Sequence, residues 1–418
     1  MTDVNPKLAI LVGIAERSSD VDECERSLDE LERLLDTAGG ECYAKVIQVK
    51  DYFDPRTCIG SGKVTEIKEM CEGANVDLVI FDFELTPSQI RNLENDMGGI
   101  ANVIDRSMLI LDIFALHAVS GEGKLQVELA QLRYSAPRIM GKGTELSRQG
   151  GGIGTRGPGE SKLETDRRHM REKIYTLERR LEEMEHNRSI MRAQRDRSGL
   201  TKVALVGYTN AGKSTLLNRL TDAGVLAQDK LFATLDPTTR KMQLPSGESV
   251  LLTDTVGFIR KLPHHLVKAF KSTLDEVRYS DILLVVSDIC DPEAPEHLKV
   301  TEEIIEELGG ADKPIIYVYN KCDLADVADY SVANDNTVKV SAVTGEGIDS
   351  LLSMIEEVMH RTKRRCKLLI PYSAQSTLSA IYDSYTVNST DYVDDGVLVD
   401  AILDKKAIGQ YSAYIVEE

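Results

Sequence analysis

The feature that most constrains this chain is the loop Gly207-Tyr-Thr-Asn-Ala-Gly-Lys-Ser214, which follows the apolar run Val203–Val206. The loop fits the pattern G-x4-G-K-[ST], whose glycines let backbone N–H groups face bound phosphates. The apolar run reads as a buried strand, and the leucines after the loop predict a helix whose positive end adds to the phosphate site. We therefore predict that Lys213 contacts the β- and γ-phosphates of a nucleotide and that the Ser214 hydroxyl binds Mg²⁺.

A second motif, Asp254-Thr-Val-Gly257, ends a strand-like run that begins at Val250. A carboxylate at the end of such a strand can hold Mg²⁺ through a water molecule. The Gly257 amide can approach a γ-phosphate closely because glycine has no side chain.

Two later motifs concern the base. In Asn320-Lys-Cys-Asp323 the carboxylate of Asp323 can accept hydrogen bonds from guanine N1–H and from its exocyclic amine, and adenine offers neither in that geometry. A site built on such bonds rejects the wrong base by roughly 10⁴-fold. Ser341-Ala342 follows twenty residues later, with backbone placed to contact the guanine oxygen. The four motifs together predict a guanine-nucleotide switch.

The segment Phe232–Arg240 lies between the first two motifs and is the expected first switch. A threonine there would complete the coordination of Mg²⁺ when the γ-phosphate is present. Thr234, Thr238 and Thr239 all have the required hydroxyl, so chemistry alone leaves the choice open.

Composition places this chain among ordinary globular proteins. Its 418 residues suffice for about three domains. Its apolar runs are too short to span a membrane, its N-terminus has no signal-peptide pattern, and its seven cysteines form no CxxC pair. We expect a cytoplasmic monomer with reduced thiols and no membrane span.

Charge is unevenly distributed along the chain. The net charge is −18, yet residues 141–200 carry 14 basic and 10 acidic side chains. The arginines of this stretch could contact RNA phosphates, or they could form a solvated helix with i,i+4 ion pairs. Residues 366–418 are acidic, which favours a protein contact over an RNA contact there.

The chain divides by pattern into four predicted domains. Residues 1–118 alternate strands and helices and predict a small α/β domain with a mostly parallel sheet. Residues 119–197 predict a helical hairpin with a glycine-rich loop at 141–160, and residues 198–362 predict the nucleotide domain. Residues 366–418 predict a small α+β domain. The fold class is therefore α/β, with a P-loop GTPase domain between the smaller ones.

The hairpin prediction depends on apolar spacing. A helix over Leu125–Arg138 should stop at Pro137. A second, charged helix should pack against a partner helix through a stripe of apolar residues at heptad-like spacing. The stripe comprises Leu163, Met170, Ile174, Leu177, Leu181, Met184 and Met191.

The chain resembles the HflX family of translation-factor-related P-loop GTPases. Besides the four motifs, the resemblance is carried by five segments along nearly the whole chain: Ile59–Lys63, Asp105-Arg106, Gly150–Glu160, Phe232–Pro237 and Asp254–Phe258. It implies a GTPase that binds the large ribosomal subunit, is stimulated by it, and in bacteria can split stalled ribosomes. By the family pattern Thr234 is the magnesium threonine, and the loop at 141–159 contacts ribosomal RNA, with Lys142, Arg148 and Arg156 as candidate contacts. The alternative for that loop is a disordered connector.

The predicted nucleotide contacts are Gly207, Tyr208, Thr209, Asn210, Ala211, Gly212, Lys213, Ser214, Phe232, Ala233, Thr234, Leu235, Asp236, Asp254, Thr255, Val256, Gly257, Asn320, Lys321, Cys322, Asp323, Ser341, Ala342 and Val343. Ser214, Thr234 and, through water, Asp254 would hold Mg²⁺. Asn210 resembles the asparagine that binds K⁺ in potassium-activated GTPases; alternatively it suits a tight turn.

We assign no catalytic residue in this chain. Phe258 occupies the position where Ras-like proteins place a water-orienting glutamine, and a phenyl ring cannot orient water. We therefore expect GTP hydrolysis to be slow until another molecule activates it. Gly60-Ser-Gly-Lys63 invites a second phosphate loop, but Thr57 and Val64 break that pattern, which favours a structural turn.

Two alternatives to a ribosome-associated GTPase remain. One is a ribosome-assembly or tRNA-linked GTPase with the same switch. The other is a regulatory module whose GTP-bound state docks a protein partner, with turnover incidental.

Overall fold

The computed structural model describes residues 7–141, 158–196, 200–221, 231–232, 235–261, 271–324 and 336–417. Contacts group the chain into two compact units. The first comprises Met1–Glu183 with Gln228–Asp236 and Arg260–Lys271, and the second comprises Met184–Ala227, Pro237–Ile259 and Ser272–Glu418. The two short segments of the first unit, Gln228–Asp236 and Arg260–Lys271, lie before and after the Asp254–Gly257 motif in the sequence. The four-domain division stays a prediction.

The first unit begins with a parallel four-stranded sheet, as the alternating pattern predicts. The strand order is β2-β1-β3-β4. The strands are β1 (Lys7–Ala15), β2 (Gly40–Val49), β3 (Leu78–Phe81) and β4 (Asn102–Asp105), and the helices are α1 (Val21–Thr37), α2 (Ser61–Ala74), α3 (Pro87–Asp96) and α4 (Arg106–His117). Threonine directly before proline, as in Thr86-Pro87, predicts a helix start with Thr86 as the N-cap and Pro87 at the first helical position. The structure confirms it, since Thr86 caps α3 by accepting a 3.3 Å hydrogen bond from the Gln89 amide.

Two elements of this sheet escaped the sequence patterns. Strand β4 has only four residues, and α4 follows without a linker. Asp105 ends the strand and caps the helix, accepting a 3.0 Å bond from the Met108 amide. Because one residue does both, no turn residues separate strand from helix.

A pair of helices follows in the same unit. They are α5 (Gly121–Gly141) and α6 (Pro158–Asp196). Arg133 of α5 pairs with Glu178 at 2.6 Å, and Lys173 of α6 pairs with Glu128 at 2.6 Å. These two ion pairs join the middle of α5 to the middle of α6.

The apolar stripe of α6 is its least exposed side where the structure describes it. Leu177 is buried, and Met170, Ile174 and Leu181 are half-buried. The predicted end of α5 at Pro137 is wrong, because the helix continues through it to Gly141.

The second unit contains a six-stranded sheet. Its order is β10-β9-β8-β5-β7-β6, and only β6 runs antiparallel to its neighbour. The strands are β5 (Thr201–Gly207), β6 (Thr238–Gln243), β7 (Ser249–Asp254), β8 (Ile282–Asp288), β9 (Ile315–Asn320) and β10 (Thr337–Lys339), and the helices are α7 (Lys213–Thr221), α8 (Lys271–Tyr279), α9 (Ala294–Glu307) and α10 (Ile348–Thr362). Strands β5 and β8 are buried almost throughout, as expected for central parallel strands.

A third sheet closes the second unit. Its order is β12-β13-β11-β14, with antiparallel pairing. It contains β11 (Lys363–Ile370), α11 (Gln375–Ser384), β12 (Thr386–Val393), β13 (Gly396–Asp404), α12 (Lys405–Gln410) and β14 (Ile415–Glu417). Strand β11 begins at Lys363, directly after α10 and three residues before the predicted segment. Within the described ranges, no helix has both the length and the apolar composition needed to cross a lipid bilayer.

A buried ion cluster holds the first unit together. The side chain of Arg106, at the start of α4, is 2% exposed and contacts Glu30 of α1 and Asp82, with 2.8 Å from Nη1 to Asp82 Oδ1. Asp82 also accepts from Ser27 Oγ and from Lys261 Nζ, each at 2.6 Å. Lys261 lies four residues after Gly257 of the second nucleotide motif. Its ion pair with Asp82 therefore anchors the chain just beyond that motif.

Replacing Arg106 with alanine should destabilise the first unit strongly. The change leaves two buried carboxylates without their guanidinium, which typically costs about 3–5 kcal/mol. Urea unfolding followed by circular dichroism would measure it, since the chain has no tryptophan.

Arg56→Ala is the matched control. Arg56 also pairs with an aspartate, Asp96, but is solvent-exposed, so its loss should change the midpoint little. Equal midpoint shifts for both variants would contradict the structural role of the buried cluster.

Candidate nucleotide-binding site

The four sequence motifs meet at one edge of the six-stranded sheet. The phosphate loop follows β5, Asp254 ends β7, and Asn320 ends β9. These strands are parallel, so their carboxyl ends share an edge. In open α/β sheets this edge is where ligands bind.

Glycines let the phosphate loop pass close to its neighbours. Gly207 has φ +145°, and a Cβ there would lie 2.2 Å from the carbonyl oxygen of Val286. Gly212 has φ +89°, and its Cβ would lie 2.2 Å from Asn320 Nδ2. A side chain at either position would displace the loop. Asn210 is exposed with φ +60°, a conformation asparagine tolerates, so the structure is compatible with the turn reading.

Lys213 is buried beneath the loop. Its Nζ donates to the carbonyl oxygens of Gly207 at 3.1 Å and Tyr208 at 2.7 Å. Burial lowers the pKa of Lys213 to about 8, and nearby Asp254 opposes that shift. The ammonium is therefore held by backbone dipoles at the position expected for phosphate contact.

Ser214 and Asp254 lie together as the magnesium prediction requires. Ser214 Oγ donates to Asp254 Oδ2 at 2.6 Å, and Asp254 is fully buried. A hydroxyl beside a carboxylate is an oxygen donor set that suits Mg²⁺. Ser214 and Asp254 would hold such an ion, which would neutralise charge on the phosphates.

The residues after Asp254 pack inward. Thr255 Oγ1 donates to the Leu205 carbonyl at 2.6 Å, and Val256 is buried. A Cβ on Gly257 would lie 2.8 Å from Thr209 Cα and 3.0 Å from Lys213 Nζ, so only glycine fits beside the loop. Of the predicted contacts in this motif, Thr255 uses its side chain structurally.

Phe258 is tied to the phosphate loop by its backbone. Its amide donates to the Gly207 carbonyl at 3.0 Å, and its carbonyl accepts from the Thr209 amide at 2.8 Å. The phenyl ring is 1% exposed and belongs to the core. The position that a water-orienting glutamine would occupy is thus an apolar anchor.

The base motifs are joined by the Asn320 side chain. Its Nδ2 donates to the Ala211 carbonyl at 2.9 Å, and its Oδ1 accepts from the Ala342 amide at 3.0 Å. One amide therefore bridges the phosphate loop and the Ser341-Ala342 motif.

Solvent exposure separates the base-facing residues from their supports. Asp323 and Val343 are exposed, whereas Cys322 and Ser341 are buried. The Asp323 carboxylate is thus accessible for the guanine hydrogen bonds predicted from the sequence.

One supporting residue was missed in the sequence. Asp288 ends β8, and its carboxylate pairs with Lys321 Nζ at 2.6 Å. Lys321 has φ +65°, so the ion pair holds a residue in an unfavourable backbone conformation. The sequence signal for Asp288 was its place at the end of β8, because β8 lies between β5 and β9, the strands that precede two of the motifs.

In the predicted first switch the structure describes Phe232 and the residues from Leu235 onward. Phe232 and Leu235 are buried, and Phe232 packs edge-on against Phe114 of α4 with centroids 4.7 Å apart. Asp236 accepts from the amides of Val119 at 3.0 Å and Ser120 at 2.7 Å, just before α5.

Several predicted residues lie outside the described ranges. They are Ala233, Thr234, Lys142, Arg148 and Arg156. The two other candidate threonines lie in β6, where Thr238 pairs in register with Asp254 and Thr239 Oγ1 is 3.0 Å from Thr253 Oγ1. Gly60, of the second glycine motif, caps α2 and donates to Gln48 Oε1 at 2.9 Å, as a structural turn would.

Profiles of known protein families match four consecutive parts of the chain. They are described as GTP-binding GTPase N-terminal at residues 25–115, GTP-binding GTPase middle region at 117–195, 50S ribosome-binding GTPase at 202–321 and HflX C-terminal domain at 326–409.

Curated relatives extend over nearly the full length. GTPase HflX of Lacrimispora saccharolytica is 49% identical over 394 residues, covering 94% of this chain and 92% of the relative. The chain belongs to the HflX family of GTPases. GTPase HflX of Escherichia coli (strain K12) is 42% identical over 380 residues, with 90% and 89% coverage. A GTP-binding protein of Sulfolobus solfataricus, solved with GDP, is 26% identical over 85% of this chain and 99% of its own, with a TM-score of 0.43.

Membership of the HflX family gives the site its ligand and its reaction. This chain binds GTP and hydrolyses it to GDP and phosphate. The predicted fold class, with a P-loop GTPase domain between N- and C-terminal domains, is confirmed.

The buried lysine predicts a pH dependence of GDP binding. Below about pH 8 Lys213 is charged in the free protein, and above it the free protein must take up a proton to present an ammonium to the phosphates. Affinity for GDP should therefore fall as pH rises from 7 to 9, by up to about ten-fold per unit above 8. Isothermal titration calorimetry in two buffers of different ionisation enthalpy would measure both affinity and proton uptake.

Lys213→Arg is the control for this dependence. Arginine stays charged from pH 7 to pH 9. Titration of the guanine base or the phosphates would therefore change GDP affinity equally in the natural chain and in Lys213→Arg, whereas deprotonation of Lys213 would affect only the natural chain. An identical decline in the two proteins would contradict the assignment to Lys213.

Proposed function

We propose that this HflX-family GTPase docks on the large ribosomal subunit and that docking accelerates GTP hydrolysis. The observation that carries the proposal is the connection between the switch segment and the α5–α6 helix pair. Asp236 holds the N-terminal end of α5, and the opposite end of α5 leads into the glycine-rich, arginine-containing segment. A movement of the first switch on GTP hydrolysis would therefore pass through Asp236 to the start of α5. Helix α5 would carry it to the glycine-rich segment that begins at residue 141.

Charge supports the ribosomal partner. Residues 141–200 are net basic in a chain of net charge −18, which favours a local RNA contact over general attraction to nucleic acid. The profile matching residues 202–321 is described as a 50S ribosome-binding GTPase. Lys142, Arg148 and Arg156 are the proposed contacts with ribosomal RNA phosphates.

We propose that the nucleotide pocket is formed by the contacts predicted from the sequence. Ser214, Thr234 and Asp254 would hold Mg²⁺, Asp323 would read guanine, and Lys213 would contact the β- and γ-phosphates. The buried ring of Phe258 supports slow intrinsic turnover, because it offers no group to orient the attacking water. The activating group would come from the ribosome.

Ribosome splitting or rescue is the further step of this proposal. If the GTP-bound protein placed its helix pair on the surface of the large subunit that contacts the small subunit, it would compete with the small subunit for that surface. Hydrolysis would then release the protein. This step is supported by the family alone and is separate from subunit-stimulated turnover.

Turnover with and without large subunits tests the proposal. We expect at least a ten-fold rise in GTP hydrolysis when purified large subunits are added, with Lys213→Ala as the blank. Neutral variants of Lys142, Arg148 and Arg156 should need more subunit for the same rise while keeping basal turnover.

The negative outcome is informative. Unchanged turnover despite tight GTP binding would favour a regulatory switch with a protein partner, to which the acidic C-terminal segment is better suited. A response to precursor subunits or tRNA instead of mature large subunits would favour the assembly alternative.

We also propose that Asn210 makes turnover depend on K⁺. Its left-handed backbone fits the turn reading equally well, so the side chain must be separated from the conformation. Asn210→Gly keeps the conformation without strain and removes the amide oxygen. We expect higher turnover in K⁺ than in Na⁺ buffer for the natural chain, and equal turnover for Asn210→Gly; equal rates for the natural chain would eliminate K⁺ activation.

A further inference from the structure

The phosphate loop has a side-chain partner outside every sequence motif. Tyr208, its second residue, is 7% exposed, and its ring stacks on the imidazole of His297. The ring centroids are 3.6 Å apart and the planes differ by 11°. Two buried rings in this stacked arrangement restrict each other's rotation.

The imidazole of His297 is itself held in place by carboxylates. His297 lies in the first turn of α9, with Nδ1 3.2 Å from Asp291 Oδ2 and Nε2 3.9 Å from Glu293 Oε2. Both acids come from the segment that leads into α9. The ring plane is therefore set from both edges, which makes it a firm surface for Tyr208.

The backbone of Tyr208 leads from this stack to the phosphate-binding lysine. Its carbonyl accepts the 2.7 Å hydrogen bond from Lys213 Nζ, the shorter of the two that hold the ammonium. The same residue forms a bridge with Phe258. A shift of the Tyr208 backbone would break the stack with His297 and move the carbonyl oxygen that holds the ammonium.

We propose that His297 is a positioning residue for Lys213. Through the stack it fixes the Tyr208 peptide, and through that carbonyl it holds the ammonium where GDP and GTP present their β-phosphate. The inference rests on the proposed contact between Lys213 and the phosphates and is independent of ribosome binding. His297 does not touch the nucleotide in this account, so its effect must pass through Lys213.

A structural role alone makes a different prediction. A histidine that only fills the core would lower stability when removed and leave the affinity of the folded protein for GDP unchanged. The stack therefore has to be tested by affinity and stability together, in the same variants.

The experiment measures the Kd of fluorescent GDP and the melting temperature for His297→Ala, with two comparison variants. His297→Phe keeps an aromatic ring, and His360→Ala removes an exposed histidine of α10. We expect His297→Ala to weaken GDP binding about three- to ten-fold. His297→Phe should recover most of that loss, and His360→Ala should bind like the natural chain.

A double variant tests the route through the lysine. With Lys213→Ala already present, adding His297→Ala should change the Kd by less than about two-fold, because the carbonyl no longer has an ammonium to place. A full additional loss would overturn the positioning role. So would natural affinity in His297→Ala, or an equal loss in His297→Phe.

Failure of the underlying contact would look different. If Lys213→Ala alone bound GDP like the natural chain, the proposed lysine–phosphate contact would be wrong, and the role of His297 with it. Turnover per bound GTP under saturating nucleotide separates binding from chemistry, since a positioning effect on the β-phosphate should appear mainly in affinity.

Discussion

The burial of one ammonium group organises the nucleotide site. Lys213 lies beneath a loop whose backbone is bent so that two carbonyl oxygens face it, and that bend requires glycine at 207. A buried charge without such partners would cost several kcal/mol. The ammonium must be shielded from water and still be able to contact a phosphate. The tight loop, the buried strand before it and the absence of a side chain at Gly257 together meet this requirement.

The same need for support extends outward from the loop. Asn320 joins the loop to the base motif, and Phe258 joins it to the Asp254–Gly257 motif by two backbone hydrogen bonds. His297 packs on the side chain of Tyr208 in the loop. Each partner comes from a different strand end or helix. Sites that must hold charge in a fixed place depend on such surrounding contacts as much as on the groups that touch the ligand.

Sequence patterns predicted most of the fold because its strands are apolar and its turns are chemically distinctive. The run before Gly207 and the Thr86-Pro87 helix start are of this kind. The patterns failed where one residue did two jobs, as with Asp105, or where a helix tolerated Pro137. In the site, motif residues were readable because ligand chemistry restricts them, whereas Asp288 and His297 act through contacts that only the folded chain brings together.

The attachment of the first switch to the helix pair has a consequence for dissecting this protein. A Cβ on Gly123 would lie 2.5 Å from Asp236 Oδ1, and Phe232 loses its aromatic neighbour without Phe114. Residues 198–362 in isolation would expose that phenylalanine and leave the aspartate with no helix to cap. The excised GTPase segment would therefore carry a first switch without the contacts that hold its two ends in the intact chain.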